Sequence, residues 1–420
     1  MIIPSIDISD GRAVQLRRGR ELVLEGGDPL DRLAEFAVAG EVAVIDLDAA
    51  RGTGSNAELI REMVRRAPCR VGGGIRTVEA ALDWLDAGAA RVIIGTAASA
   101  EFCSQLPQDR VIAAVDAEHG EVVVEGWETP TGAVVLDRIG ELAPVVGGFL
   151  FTQVEHEGAM AGFDFEVVER AVQAAGTARV TAAGGITTAA DIARLHAIGA
   201  DAQVGMALYS GSLALGDAVA APLTKSVGDR WPTVVVDEGG QSLGLVWSTR
   251  ESVAAAIATR KGIYWSRSRD ELWEKGATSG ATQQLLRVDL DCDADALRFT
   301  VRQHGAGFCH TGDRSCWDTP FSLHGLDRVI GERLSNPEAG SGTAALLADP
   351  SLLAAKITEE AGELNGAADR AEVVHEAADL LYFTLVRLRA AGASLVDVEA
   401  ELGRRNGRVR RRPMTAREPT

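Results

Sequence analysis

An internal repeat in the first half of the chain most strongly limits what it can fold into. The sequence G-G-I at 73–75 recurs at 184–186, and Asp7 in the first strand-like run is matched by Asp116, 109 residues later. Short β-branched runs alternate with alanine-rich amphipathic stretches throughout residues 1–222, which indicates parallel β/α units. Two such halves of about 110 residues predict a (β/α)8 barrel.

The repeat also predicts where chemistry occurs in the barrel. Active sites of such barrels form at the carboxyl ends of the strands, where Asp7 and Asp116 fall on opposite sides. One carboxyl acting as base and the other as acid suits a proton-transfer isomerisation. Glycines at strand ends can bind phosphate through backbone N–H groups, although they also serve as plain β/α turns. The glycines of the two predicted phosphate sites are Gly73, Gly74 and Gly95, and Gly184, Gly185 and Gly205.

A different composition marks the middle of the chain. Short strands and tryptophan-rich loops predict a small, mostly β domain over residues 233–325. Three of the five cysteines lie in residues 291–316, near Asp291, Asp293, Asp295 and His310. Thiolates favour zinc and clustered carboxylates favour magnesium, and three cysteine ligands leave one coordination position open, as in catalytic zinc sites. A disulfide or simple buried thiols are the alternative.

The last segment has a helical period and predicts a small all-α domain over residues 335–407. Carboxylates three residues apart share a helix face, so two packed helices would bring four of them together. Such a cluster suits Mg²⁺ bridging a polyphosphate, whereas a solvated helix face is the alternative. The second pair lies in an apolar run, where a buried carboxylate needs a partner. The four carboxylates are Glu360, Glu363, Glu376 and Asp379.

The net charge and the hydropathy limit the kinds of partner that this chain can bind. A net charge of -18 argues against nucleic acid or an anionic membrane. No apolar run approaches the roughly 18 residues of a membrane span. Met1 leads directly into the strand-like I-I-P-S-I-D, so we expect no signal peptide and a cytoplasmic location. We expect the basic residues 404–405 and 408–412 to be solvated, with a substrate or subunit contact as the alternative.

Several motifs in residues 1–220 carry a family resemblance. They are I-I-P-S-I-D, V-I-D-L-D-A-A, V-G-G-G-I-R, A-A-V-D-A-E-H-G and A-A-G-G-I. This region resembles the phosphoribosylformimino-aminoimidazole carboxamide ribotide (ProFAR) isomerases of histidine biosynthesis. The resemblance implies an Amadori rearrangement, with Asp7 as general base, Asp116 as general acid and Thr152 near the opened ribose.

The barrel departs from the family pattern at Glu118, Gln153, Glu157 and Met206. A glutamate in place of an arginine near an anionic substrate is electrostatically unfavourable. Three alternatives therefore stay open. The barrel isomerises ProFAR, acts on another phosphoribosyl substrate such as phosphoribosylanthranilate, or is a silent binding or oligomerisation module.

The middle segment contains W-S-R-S-R, L-W-x-K-G-x-T-S-G, D-C-D-x-D and C-H-T-G-x-x-S-C. It resembles phosphoribosyl-AMP cyclohydrolases, which implies opening of the adenine ring and a homodimer. The resemblance also implies His310 as a proton shuttle, with a structural histidine as the alternative. The remaining implied residues are Cys292, Cys309 and Cys316 for zinc, Asp291, Asp293 and Asp295 for magnesium, and Arg267, Arg269, Lys275 and Ser279 for substrate.

The C-terminal segment contains K-I-T-E-E-A-G-E-L and V-V-H-E-A-A-D-L-L-Y. It resembles phosphoribosyl-ATP pyrophosphohydrolases, with Lys356 facing the triphosphate. The three resemblances are to consecutive steps of one pathway. Together they predict a fused enzyme that acts on phosphoribosyl nucleotides with Zn²⁺ and Mg²⁺.

Overall fold

The computed structural model describes residues 1–17, 21–118, 121–124, 129–154, 164–317, 321–338 and 340–410. The chain forms two compact units. The first is Met1–Cys316 together with the segment that begins at Gly407, and the second is Trp317–Asn406.

The first unit begins with alternating strands and helices. Its strands are β1 (Ile2–Ser9), β2 (Arg12–Arg17), β3 (Glu21–Gly27), β4 (Val42–Asp46), β5 (Cys69–Gly72), β6 (Arg91–Ile94), β7 (Val111–Glu118), β8 (Glu121–Val124), β9 (Thr129–Val134), β10 (Gly148–Gln153), β11 (Arg179–Ala183) and β12 (Ala200–Val204). Its helices are α1 (Pro29–Phe36), α2 (Leu47–Arg51), α3 (Ala57–Arg66), α4 (Val78–Ala87), α5 (Ala100–Cys103), α6 (Val135–Leu142), α7 (Phe165–Ala175), α8 (Ala189–Ala197), α9 (Met206–Tyr209) and α10 (Leu215–Ala220).

Within the described residues, eight parallel strands close into a barrel in the order β1, β4, β5, β6, β7, β10, β11, β12. The predicted barrel is therefore confirmed. The strands that bear Asp7 and Asp116 each continue into an antiparallel extension, β2–β3 and β8–β9. Asp7 pairs with Val14 and Asp116 with Val123, so the two extensions have the same register.

Local backbone structure follows the same repeat. The side chains of Thr77 and Thr188 cap the N-termini of α4 and α8, which satisfies otherwise unpaired backbone N–H groups. Gly73 and Gly74 have φ of +94° and +69°, and Gly184 and Gly185 have φ of +90° and +80°. Glycine is favoured at these positions because other residues adopt positive φ only with strain.

A second sheet follows the barrel in the same compact unit. Its elements are β13 (Trp231–Val236), β14 (Ser242–Ser248), α11 (Arg250–Thr259), β15 (Ile263–Ser266), β16 (Glu271–Glu274), β17 (Gln283–Leu290) and β18 (Leu297–Gln303). In the described part of this segment, six strands are ordered β16, β15, β14, β13, β18, β17. Buried apolar side chains continue from Phe149 of the barrel through Val219 to Val253 and Phe299, so the two segments share one core.

Two arginines and one glycine join these segments. Arg250 donates to the carbonyl oxygen of Leu223 over 2.5 Å, and Arg260 donates to that of Glu35 over 2.6 Å. Helix α11 approaches α10 so closely that a Cβ on Gly216 would lie 2.5 Å from the Cα of Ala254. The close packing makes the barrel and the second sheet one body.

The second unit is helical, which confirms that part of the prediction. Its helices are α12 (Leu323–Ser335), α13 (Gly342–Ala348), α14 (Pro350–Gly366), α15 (Arg370–Ala390) and α16 (Leu395–Asn406). Helix α12 lies ahead of the predicted domain start at residue 335. The buried core consists of Ile330, Leu346, Leu353, Leu385 and Val386. None of the described helices combines the length and apolar content needed to cross a membrane.

Candidate functional sites

A cavity of about 950 Å³ lies at the carboxyl ends of the barrel strands. Sequence reasoning placed residues from both halves of the repeat at one site, and the closed barrel brings them all to this cavity. The predicted barrel residues in its lining are Asp7, Asp116, Thr152, Gly73, Gly74, Gly95, Gly184, Gly185 and Gly205.

The two carboxylates approach the cavity from opposite strands. Three strands separate β1 from β7 in either direction around the barrel. Asp7 is half-buried, and loss of hydration raises the pKa of its carboxyl from 3.8 to about 7. A carboxyl with a near-neutral pKa can accept and release a proton at physiological pH. The arrangement therefore suits acid–base chemistry across the cavity.

The glycines of the first phosphate site have different structural reasons. A Cβ on Gly73 would lie 2.2 Å from the carbonyl oxygen of Asp46, so packing alone requires glycine there. A Cβ on Gly95 would have no neighbour within 4 Å. Packing does not demand glycine at that position, and its missing side chain leaves space in the cavity. Gly73 thus fits the turn alternative, whereas Gly95 fits the ligand alternative.

Of the three departures from the family pattern that the structure describes, two lie outside the cavity lining. Glu118 is exposed and does not contribute to the lining. Gln153 is buried, and its amide group donates to the backbone oxygen of Asp164 over 2.8 Å and accepts from its N–H over 2.9 Å. Met206 lines the cavity, and Glu157 lies outside the described residues. The charge of Glu118 therefore lies outside the cavity lining, which weakens the argument that it repels an anionic substrate.

Sequence reasoning did not single out three arginines that line the cavity, Arg51, Arg76 and Arg138. Arg76 donates to the backbone oxygens of Ala49 and Ala50 over 3.1 and 2.7 Å. Its position two residues after the first glycine pair is a sequence indication that could have identified it. Arg138 lies on α6 outside any motif, so only the fold reveals its place.

The three cysteines of the segment with the second sheet lie at two separate positions. Within the described residues, Cys292, Cys309 and Cys316 do not form a group whose sulfur atoms could share one ion. Cys309 accepts a 3.0 Å hydrogen bond from Thr311, and this bond holds the pKa of its thiol below the ordinary value. Burial and the neighbouring Cys309 raise the pKa of Cys316. Cys309 and Cys316 are therefore close neighbours, while Cys292 lies apart on an exposed turn.

His310 and Lys275 lie beside the paired cysteines. The Nδ1 atom of His310 is 3.7 Å from the Cys309 sulfur. Lys275 is buried, with Nζ 5.5 Å from the centre of the Phe308 ring. Burial lowers the pKa of Lys275, although Cys316 and Cys309 act in the opposite direction.

The other predicted substrate residues of this segment lie on exposed surface. The Arg267 guanidinium is 5.1 Å from the centre of the Trp247 ring. Arg269 donates to Ser266 over 3.3 Å. Ser279 accepts from the N–H of Ala281 over 3.3 Å.

Asp291, Asp293 and Asp295 bring carboxylate oxygens within 4.8 Å of one another. Lys225 already lies at this cluster, with Nζ 2.5 Å from an Asp293 oxygen. Burial and the neighbouring Asp293 and Asp291 raise the pKa of Asp295. The cluster therefore attracts cations, and the ammonium group of Lys225 neutralises part of its negative charge.

A second carboxylate group lies between α14 and α15. Glu360, Glu363 and Glu376 bring their oxygens within 4.8 Å of one another. Burial and Glu363 raise the pKa of Glu376, as expected for crowded carboxylates. Asp379 lies outside this group of three. Its side chain was expected to be buried but is 45% exposed. Its Oδ2 atom lies 3.6 Å from Nε2 of His375.

Lys356 lies beside this carboxylate group. Its Nζ is 2.9 Å from an oxygen of Glu359 and 3.6 Å from an oxygen of Glu360. The hydrogen bond to Glu359 raises the pKa of Lys356. The ammonium group is therefore near the predicted metal ligands.

Comparison with known families assigns each segment separately. The profile described as "Histidine biosynthesis protein" matches residues 1–214. The profile of "Phosphoribosyl-AMP cyclohydrolase" matches residues 244–318. That of "Phosphoribosyl-ATP pyrophosphohydrolase" matches residues 323–406. The three profiles follow one another along the chain in the order that the sequence motifs predict.

Individual relatives match parts of the chain. A "Histidine biosynthesis trifunctional protein" of Kluyveromyces lactis is 52% identical over 184 residues, which are 43% of this chain and 23% of that protein. A "Histidine biosynthesis bifunctional protein" of Schizosaccharomyces pombe is 47% identical over 180 residues, 43% of each chain. An imidazole-4-carboxamide isomerase of Methanocorpusculum labreanum is 37% identical over 235 residues, 52% of this chain and 98% of that protein. The chain thus spans only 23% of the length of the first relative.

Proposed function

The chain belongs to the histidine biosynthesis protein family, and on that premise we propose that it catalyses three reactions on phosphoribosyl nucleotides. The helical unit cuts pyrophosphate from phosphoribosyl-ATP. The segment with the second sheet opens the adenine ring of phosphoribosyl-AMP to give ProFAR. The barrel then isomerises ProFAR. The observation that carries the barrel assignment is the gathering of two opposed carboxylates and two glycine sites in one cavity.

In the barrel, backbone N–H groups at the two glycine sites hold the two phosphates of ProFAR and so set the direction of the substrate across the cavity. Asp116 acts as the general acid that helps open the ribose ring. Asp7, whose carboxyl has a pKa of about 7, acts as the base that removes the proton in the Amadori rearrangement. Thr152 on β10 is the strand partner of Asp116 on β7, so the two side chains belong to the same level of the barrel. Arg76 and Arg138 add positive charge to the same lining.

In the cyclohydrolase segment, Cys292, Cys309 and Cys316 would hold zinc. When bound, this ion supplies a hydroxide at neutral pH. Cys309 and Cys316 already lie together and have thiol chemistry suited to zinc, which supports the assignment. The separate place of Cys292 supports a site completed by a second copy of the chain, and therefore a homodimer. His310 moves the proton beside this site.

Asp291, Asp293 and Asp295 would hold magnesium in this segment, since their oxygens are close enough to share an ion. Lys225 would have to leave Asp293 when the ion binds. Arg267, Arg269 and Ser279 lie on exposed loops, where they can bind a ribose phosphate. Lys275 is buried beside the thiols, so its ammonium group acts near the reacting ring.

In the helical unit, Glu360, Glu363 and Glu376 would hold magnesium, which neutralises the charge of a triphosphate when bound. Lys356 faces the same charge from one turn earlier on α14. Asp379 is one turn beyond Glu376 on α15 and would join the site from that face.

The test is to supply the purified protein with phosphoribosyl-ATP, Mg²⁺ and Zn²⁺ and to separate products from a ProFAR standard. Accumulation of the isomerised ribulosyl product is expected. Asp7→Asn is expected to stop the sequence at ProFAR, whereas Asp137→Asn, an exposed carboxyl on α6, should not. A wild-type protein that also stops at ProFAR would show a silent barrel or a different barrel substrate. Absence of any turnover would contradict both hydrolase assignments.

A further inference from the structure

The chain returns to the first unit after α16. The third family profile ends at residue 406, and so does the helical unit. The next residues, Gly407–Arg410, belong to the first unit. They form a segment that we call the C-terminal clasp.

Asp86, near the end of α4, accepts three hydrogen bonds from the clasp. The backbone N–H groups of Val409 and Arg410 donate to Oδ1 over 2.8 and 3.2 Å. The side-chain Nε of Arg410 donates to Oδ2 over 2.6 Å. Burial tends to raise the pKa of Asp86, but the bonds from Arg410 and Val409 outweigh it and hold the pKa below its ordinary value. The carboxylate is therefore bound through backbone and side chain together.

Other contacts extend this attachment. Arg410 also forms an ion pair with Asp83, one turn earlier on α4. Arg110 donates to the backbone oxygen of Gly407 and to that of Ala89, which follows α4. The side chain of Val409 packs against the apolar core of the first unit. Sequence reasoning expected solvated arginines here, whereas Arg410 is held by two carboxylates.

We propose that Asp83 and Asp86 form a docking surface for the C-terminal clasp, and that the clasp tethers the helical unit to the barrel at a second point. Trp317–Asn406 is joined to the first unit by the chain at its start, and the clasp joins it again at its end. Since the clasp and its surface are in one molecule, modest contacts suffice to keep them together. The clasp depends on none of the proposed activities.

The test measures hydrogen exchange in the full-length protein at the amides of Val409 and Arg410. Both amides are expected to exchange slowly in the wild type and to lose that protection in Arg410→Gln and in Asp86→Asn. Arg408→Gln is the matched control, because Arg408 is exposed and its replacement removes the same charge. It should keep the protection. Unprotected amides in the wild type, or equal losses in Arg408→Gln and Arg410→Gln, would overturn the docking surface.

Small-angle X-ray scattering tests the tether itself on the same proteins. Release of one of the two attachments should increase the radius of gyration in Arg410→Gln but not in Arg408→Gln. Unchanged exchange protection in the strands of the barrel would show that Arg410→Gln has not unfolded the first unit. Loss of clasp protection without any change in the radius of gyration would refute the tether.

Discussion

The half-buried carboxyl of Asp7 predicts an unusual dependence of barrel stability on pH. Desolvation raises its pKa from 3.8 in the unfolded chain to about 7 in the folded one. Because the folded pKa is the higher, the contribution to stability is complete below pH 3.8 and is lost as pH rises towards 7. At about 1.4 kcal/mol for each pKa unit, the ionised group costs the fold about 4 kcal/mol at pH 8.

Asp7→Asn removes the ionisable group with little change in shape. The variant's stability relative to wild type should therefore increase by about 3 kcal/mol between pH 5 and pH 8, whatever constant cost the amide brings. The change should appear in the opening free energy of the β1 and β4 amides, measured by native-state hydrogen exchange and corrected for intrinsic exchange at each pH. A local measurement is needed because a chain of several segments does not unfold in one step.

Asp137→Asn provides the control, since an exposed carboxyl keeps its hydration when the barrel folds. It should show little change between the two pH values. A stability difference for Asp7→Asn that stays constant from pH 5 to pH 8 would refute the raised pKa. Retention of ProFAR isomerisation by Asp7→Asn would refute the assignment of Asp7 as base.

Other predictions concern backbone space, loop support and metals. Gly73→Ala should lower the free energy of unfolding by about 2 kcal/mol or more and so lower the melting temperature. The reason is that the position has φ of +94° and a Cβ there would overlap the backbone. Gly95→Ala should keep the stability but weaken substrate binding, since its Cβ meets open space in the cavity; equal melting temperatures for the two variants would contradict this reasoning. Gln153→Ala should cost about 1–3 kcal/mol by removing two partly buried hydrogen bonds to the Asp164 backbone, as chemical denaturation can measure. Chelation of divalent ions should stop pyrophosphate release and ring opening but leave the isomerisation of added ProFAR intact, because the described carboxylate groups that could bind ions lie outside the barrel; loss of all three activities would contradict that separation.

Much of the barrel site could be predicted from local patterns. Asp7 and Asp116 end matching strands, and the glycine pairs follow matching strands one repeat apart. A barrel closes its strands side by side, so residues at equivalent strand ends must meet at one rim. Predicting the strands and their period was therefore enough to place the two aspartates and the glycines in the cavity lining, but not Arg138.

Side-chain direction was less predictable. Glu118 and Gln153 depart from the family pattern and left the activity of the barrel open, but neither lines the cavity. Residues of one predicted site did not always meet in space either, since the sulfur atoms of Cys292, Cys309 and Cys316 do not come together in one group. The i, i+3 rule placed Glu360 and Glu363 correctly on one face of α14, yet the half-exposed Asp379 shows that the rule does not define burial.

The sequence by itself determined the order of the segments, the closed barrel and the residues that meet in its cavity, because these follow from short-range periodicity and from backbone conformations that only certain residues adopt. Tertiary structure decided the common core of barrel and second sheet, the pairing of Cys309 with Cys316 and the docking of Arg410 on α4. These depend on contacts between residues as much as 327 positions apart, as between Asp83 and Arg410. No local pattern encodes such contacts, since they arise only when complementary surfaces lose water together.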